Sequence, residues 1–543
     1  MAQRYSQGMK FISYRSPVYA RRGIVASSQP LASEAGLRIL QVGGNAADAA
    51  VATAAALNVT EPCSTGIGGD CFCLFFDAAK KTVKGLNASG RAPAELSLKE
   101  LEKVGVMGEL PRFSVHTVTV PGAAAGWVDT INYFGTMQLS EVLAPAIELA
   151  ENGYPVAPLT AASWQQGVDQ LMQGPYAEEM LRNGYAPKAG EIMKLPTLAR
   201  TFRELAEHGK SGFYEGRIAE AIVELLQSMG GMMSLEDLNH HTNTLDNPIS
   251  VNYKGIDVFE MPPNGQGITA LIALNILEEY DFTSMGHSSV QHLHLMIEAL
   301  RLAFADTRWY VADPAVVDVP IEELISKKYA AQRRQLINLS KATLDFTKGS
   351  PMTGSDTVYF SVVDGEGNAC SFIGSNYMGF GTGLIPKGCG FTLQNRGAGF
   401  SLIPDHPNVL APKKRPYHTI IPGMALKDKE LYGSFGVMGG FNQPQGHVQV
   451  LINMIDFGMN PQEALNAPRF TIRDGTSGGQ VALEDPIPET TKKTLKKMGH
   501  DILSISGASR MMFGRGQIIT RNPDTGVLCG GTSPRADGIA IGW

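Results

Sequence analysis

The sequence has little charge, little cysteine and no long apolar run. Asp, Glu, Lys and Arg make up 18% of 543 residues, below the usual quarter of a soluble chain. Disorder requires low hydrophobicity with high net charge. Here hydrophobic residues reach 43% and net charge is only −6, so a large packed interior is expected. The longest basic run is Lys413-Lys414-Arg415, too short for a nucleic-acid footprint. No stretch approaches the roughly 18 apolar residues of a membrane helix. The first 23 residues lack the apolar core of a secretory signal. Six cysteines in so long a chain read as free thiols of a cytoplasmic protein rather than a disulfide framework. Cys71 and Cys73 lack two further ligands nearby for zinc and read as residues of a buried strand.

Familiar catalytic signatures are missing too. There is no H-E-x-x-H, no P-loop and no G-x-S-x-G. Gly379, Gly381 and Gly383 have no βαβ context for a dinucleotide. His292 and His294 lie two apart on an expected helix and point to different sides, so they do not share a metal. No cofactor and no metal is expected.

What is present falls into two kinds of text. Helical periodicity covers 31–42, ended by Gly43-Gly44, and 46–57, an alanine-rich helix capped by Asn45. The glycine-rich turn Thr65-Gly66-Ile67-Gly68-Gly69-Asp70 leads into an expected strand, 71–76. Residues 96–245 read as mostly helical, with a capping box at Ser234. Further helices are expected at 268–280 and 290–306, and a strand at 249–259. Residues 340–356 are polar and rich in Gly, Ser, Thr and Pro, an expected exposed loop. The text then becomes β-branched and aromatic: 357–363, a turn at Asp364-Gly365-Glu366-Gly367-Asn368, and a returning strand at 369–373. The composition break lies at 356/357.

Four separated blocks carry a resemblance: PLASEAGLRILQVGGNAADAAVATAAALNVTEPCSTGIGGDCF (30–72), LRLAFADTRWY (300–310), DTVYFSVVDGEGNACSFIGSNYMGFGTG (356–383), and KKRPYHTIIPGMAL through FGVMGGFNQPQGHVQV to NAPRF (413–470). In order and spacing the chain resembles the γ-glutamyltranspeptidase (glutathione hydrolase) family of N-terminal-nucleophile hydrolases. The resemblance implies a four-layer αββα sandwich. It implies a precursor that cuts itself before Thr357 into a large fragment, 1–356, and a small one, 357–543, with a dimer of heterodimers as a form the pair can take. Thr357 would be the nucleophile. Its hydroxyl needs a base, and the freed α-amine, with a reference pKa near ~8, supplies one on the same residue. Gly439 and Gly440 match the glycine pair whose N–H groups form the oxyanion hole. Ser375 matches a hydroxyl residue that contacts the nucleophile and aids self-cleavage.

The departures bear on substrate. In the family the γ-glutamyl α-amino group is held by an acid, with a Gln or Glu three residues before it and an Asn upstream. Here the segment is Asn395-Arg396-Gly397-Ala398-Gly399: Arg396 takes the Gln/Glu place, Gly399 the acid's, and Tyr377, beside Asn376, the upstream Asn's. A serine pair that helps hold the α-carboxylate has become His418-Thr419. Arg91, before Ala92-Pro93, is two residues out of register with the family's carboxylate-anchoring arginine, and Ser89 takes the aligned place. A pocket with Arg396 and no acid would favour an acyl group bearing a carboxylate and no ammonium. The connection 401–415 is also shorter than in members with a lid loop, so hydrolysis is expected over transfer. The small-molecule substrate expected is a γ-glutamyl or related carboxylate-bearing amide. The alternatives are a specific small-amide hydrolase of oxamate amidohydrolase or cephalosporin/glutaryl acylase type, and an unprocessed, non-catalytic binding protein.

Overall fold

The computed structural model describes residues 15–343 and 356–543. The N-terminal stretch read for a leader lies mostly outside these residues, as does most of the expected loop at 340–356. Among the described residues, no helix is long and apolar enough to cross a membrane.

Two seven-stranded antiparallel sheets form the centre. One runs Ile539–Gly542, Gly23–Ser27, Asp356–Asp364, Ala369–Tyr377, Asp70–Asp77, Thr82–Ala88, Thr244–Asp246. The other runs Val18–Ala20, Leu528–Thr532, Gly516–Arg521, Glu430–Val437, Gly423–Lys427, Ile256–Glu260, Ile249–Tyr253. Residues before and after the 356/357 break contribute to both sheets, so the break is not a boundary between separate cores.

The side-chain period of two explains the layers. In the strand Asp356–Asp364, Val358, Phe360 and Val362 enter one apolar cluster, while Tyr359 and Val363 enter another. The first cluster holds the helices Pro30–Gln41, Ala46–Thr60, Ala123–Phe134 and Leu139–Asn152. The second lies between the sheets, with Phe72, Leu74, Met424 and Ile519. A third cluster packs Phe435, Val437 and Ile518 under the helices Gly267–Leu277, Val290–Tyr310 and Asn442–Ile455. Helix, sheet, sheet, helix is the four-layer αββα sandwich.

The helix Ala46–Thr60 is buried on every side. Its alanines let it lie close to the sheet, and Asn45 starts it with a full capping box against Asp48. Cys71, Cys73 and Cys370 all face this helical layer as buried thiols.

Candidate active site

Thr357 is the second residue of its strand and fully buried. It shares its face with Tyr359 and Ser361, toward the opposite sheet. Ser361 Oγ donates to Ser434 Oγ at 2.6 Å, and Tyr359 lies over Gly436. Beyond these contacts, Arg515 links Thr357 to Met438, directly before Gly439-Gly440. The pairing Asp356↔Tyr377 and Val358↔Gly374 leaves an irregularity opposite Thr357, a bulge of the kind that re-aims a side chain.

From Thr357 a chain of contacts runs through most of the residues singled out in the sequence. Thr357 Oγ donates to Ser375 Oγ at 3.1 Å, and the Tyr377 N–H donates to the same oxygen at 2.8 Å. Tyr377 is held at φ +77°, a conformation a bulky residue rarely adopts and one that clusters at functional sites. Its ring lies 4.2 Å from the guanidinium carbon of Arg396. Arg396 Nη1 donates to Thr419 Oγ1 at 2.8 Å. Gln266 Nε2 then spans two carbonyls, Thr419 at 2.6 Å and Gly440 at 2.8 Å. On the other side Arg515 donates to the Thr357 carbonyl at 3.3 Å, while its own carbonyl accepts from the Met438 N–H at 3.1 Å. Gly439 and Gly440 have φ of +128° and +57°, which favour glycine. Their carbonyls accept from Asn442 and Gln443 at the start of a helix.

Sequence reasoning missed three members of this ring. Gln266 is one. The second is Arg515, whose Nη1 pairs with the buried Glu61 at 2.5 Å. Glu61 also accepts from Ser28 at 2.6 Å and Gln29 at 3.1 Å, so the arginine that grips Thr357 is itself fixed. The third is Asp70. Its carboxylate accepts from Gly90 N–H at 2.9 Å, Gln394 Nε2 at 3.0 Å and His418 Nε2 at 3.0 Å. Arg396 Nε lies 3.9 Å away.

Asp70 corrects the expectation that Arg396 stands in a pocket without an acid: the two are a buried ion pair. The pair does not satisfy the arginine, however. Arg396 is fully buried, and its Nε and Nη2 find no hydrogen-bond acceptor among the described residues. Each such group costs about 1–3 kcal/mol if left unmet. Burial, partly offset by Asp70, lowers its pKa to about 10, so the cation persists at neutral pH.

The remaining expected residues are placed differently. Asn395 spends its amide on backbone, accepting from Met378 N–H at 3.1 Å and donating to the Arg112 carbonyl at 2.8 Å. Asn376 turns to Thr392 Oγ1 at 3.2 Å. Arg91 is not joined to this ring. It donates to the Thr242 carbonyl at 2.9 Å, beside the buried Arg415, whose guanidinium is taken up by Ser89, Thr244 and Thr242. The short connection 401–415 closes on itself: Leu410 N–H donates to Ser401 at 2.9 Å and Asn408 Nδ2 to Gly399 at 2.7 Å.

The histidine at the site is neutral. His418 Nε2–H donates to Asp70 and its Nδ1 accepts from Ile420 N–H at 3.4 Å. Burial, with Arg396 and Arg415 against it and Asp70 for it, pushes its pKa down to about 4. His241, buried beside Arg415 and Arg91, falls to about 3. Both folded values lie below the unfolded reference near ~6.5, so between these limits the unfolded chain binds more protons. Stability is therefore full above pH ~6.5 and declines as pH falls toward 4, by up to about 1.4 kcal/mol per pH unit per histidine. Urea unfolding at a series of pH values should show this decline, and His418→Gln should make it shallower.

A model of the gamma-glutamyltranspeptidase family matches residues 32–543. The glutathione hydrolase-like YwrD proenzyme of Bacillus subtilis is 38% identical over 97% of this chain and 99% of its own length. The acylase ACY 1 proenzyme of a Pseudomonas species (strain SE83) is 35% identical over 98% and 95%. The crystal structure of cephalosporin acylase from Bacillus halodurans superposes with a TM-score of 0.92 at 45% identity, covering 99% of this chain and 98% of that one. With this fold and this match along its length, the chain belongs to the gamma-glutamyltranspeptidase family of N-terminal-nucleophile hydrolases.

Proposed function

We propose that the chain cuts itself between Asp356 and Thr357 and then hydrolyses small amides whose acyl group carries a carboxylate. In the cut, Thr357 Oγ attacks the Asp356 carbonyl carbon, its proton passes to the Thr357 nitrogen as the peptide C–N bond breaks, and water hydrolyses the resulting ester. Ser375 accepts the hydroxyl proton's hydrogen bond and aims the oxygen. In turnover the freed α-amine takes the Thr357 proton as Oγ adds to the substrate carbonyl. The Gly439 and Gly440 N–H groups hold the oxyanion. Collapse expels the amine, which leaves with that proton, and water releases the acid from the acyl-threonine. No cofactor enters this scheme.

One observation carries the substrate reading: Arg396, one side chain removed from the Thr357–Ser375 pair, keeps two buried N–H donors without acceptors among the described residues. A guanidinium edge with two open donors suits a carboxylate. The acylase relatives support amide hydrolysis at an acyl group, and Arg396 points to a glutaryl amide or another dicarboxylic monoamide. A second reading, γ-glutamyl amides, is favoured by Asp70, an acid beside Arg396 that could face an ammonium. Three hydrogen bonds already occupy that acid. The test is kcat/KM on glutaryl-p-nitroanilide against γ-glutamyl-p-nitroanilide. The glutaryl compound should be turned over faster, and the reverse order would replace the first reading by the second. Because the 401–415 connection is closed on itself, water should outcompete amines. Glycylglycine should then accelerate product release less than twofold, roughly 0.4 kcal/mol in barrier.

A further inference from the structure

His294 and Glu298 stand one helical turn apart on Val290–Tyr310, on one side of the helix. His500 reaches them from the turn after the helix Glu489–Lys497. The three side chains are buried, and one donor atom from each lies within 4.8 Å of the others.

The hydrogen bonds fix the protons. His294 Nε2 faces the Asn338 carbonyl at 2.8 Å, which can only accept, so the proton sits on Nε2 and Nδ1 presents a lone pair. His500 Nε2 lies 2.8 Å from that Nδ1 and must be its donor. His500 Nδ1 and Glu298 Oε1 are then left buried with no hydrogen-bond partner, while Glu298 Oε2 is held by the Thr343 N–H at 2.9 Å. A histidine oriented by a backbone carbonyl through its far nitrogen is the usual support of a metal ligand. Two imidazoles and a carboxylate suit zinc, leaving a fourth position for water. Zn–N bonds of about 2.0–2.1 Å require the two nitrogens to part by roughly half an ångström from the present contact.

We infer that His294, Glu298 and His500 form a divalent transition-metal site of zinc type. Binding replaces the imidazole–imidazole hydrogen bond by two metal–nitrogen bonds, and the His500 proton moves from Nε2 to Nδ1. Arg301 Nε, 3.9 Å from Glu298 Oε1, opposes the added charge, though its guanidinium is directed to the carbonyls of Ser477 and Gly479. His294 and Glu298 precede residue 356 and His500 follows it. The same cluster anchors Asn338 and Thr343, so the ion would tie both sides of the cut and pin the chain shortly before it. The site itself does not depend on the cut.

The test is the zinc content of the full chain produced in zinc-supplemented medium and gel-filtered, for wild type, Thr357→Ala, His294→Gln and His500→Gln. About one equivalent is expected in the first two and less than about 0.1 in the others. Loading with Co2+ instead should give wild type the visible bands of a four-coordinate, nitrogen-ligated ion, which decides the matter even if a histidine variant fails to fold. Wild type holding no zinc, equal content in all four proteins, or a Co2+ spectrum of a fully hydrated ion would overturn the site.

Discussion

Thr357→Ala should remain a single 58.3 kDa chain and lose amide hydrolysis by at least about 10⁴-fold, as removal of a nucleophile does elsewhere. The change is small structurally. It removes one hydrogen bond, to Ser375, worth about 1 kcal/mol, and Ser375 keeps its bond from the Tyr377 N–H. The variant should therefore fold, and its melting curve separates lost chemistry from lost structure. Thr357→Ser retains the hydroxyl and should still cut, more slowly. Ser375→Ala removes the acceptor that aims Thr357 Oγ and should slow cutting, while Ser375→Thr should restore it. A gel followed over time checks all four.

Arg396→Ala should lower kcat/KM for a glutaryl amide roughly 100- to 1000-fold, because removing one partner of a buried charged contact costs about 2–5 kcal/mol. An acyl group without a carboxylate, such as butyryl, should lose less than about tenfold, since no charged contact is at stake. The substitution also strips Thr419 of its donor, the Tyr377 ring of its cation and Asp70 of its nearby charge, so some stability is lost. Continued self-cleavage provides the internal control, because it needs Thr357 and Ser375 in place but no substrate carboxylate. Arg396→Lys should not rescue the glutaryl rate: a point charge cannot reproduce donors splayed from one planar group. Equal losses on glutaryl and butyryl substrates would make Arg396 a purely structural partner of Asp70.

Much of this was legible in the sequence because it is local. The β-branched text after 356, the Asn-capped alanine helix and the glycine pair at 439–440 each carry their own signal, and the family resemblance ordered them into layers. What was not legible depends on distant chain segments meeting. Asp70 was visible as the end of a glycine-rich turn, but nothing local says that it meets Arg396 and His418, more than 300 positions later. Gln266 carries no local sign of a role, yet its amide joins the Thr419 and Gly440 carbonyls. Arg515 and Glu61 gave no signal, since a buried ion pair is invisible until both ends are placed. Arg91, a short-range match to a family arginine, stands apart from this ring, with its guanidinium bonded to Thr242. His292 and His294 do point to different sides, as their spacing required, one beside His287 and the other against His500.

Intact mass of the purified protein, before and during turnover of a glutaryl amide, is the most direct test. The expected result is a small fragment beginning at Thr357 that gains the mass of one glutaryl group in the steady state and loses it when substrate is exhausted. A chain that stays whole, a fragment beginning at another residue, or hydrolysis with the acyl mass on any residue but Thr357 would contradict it.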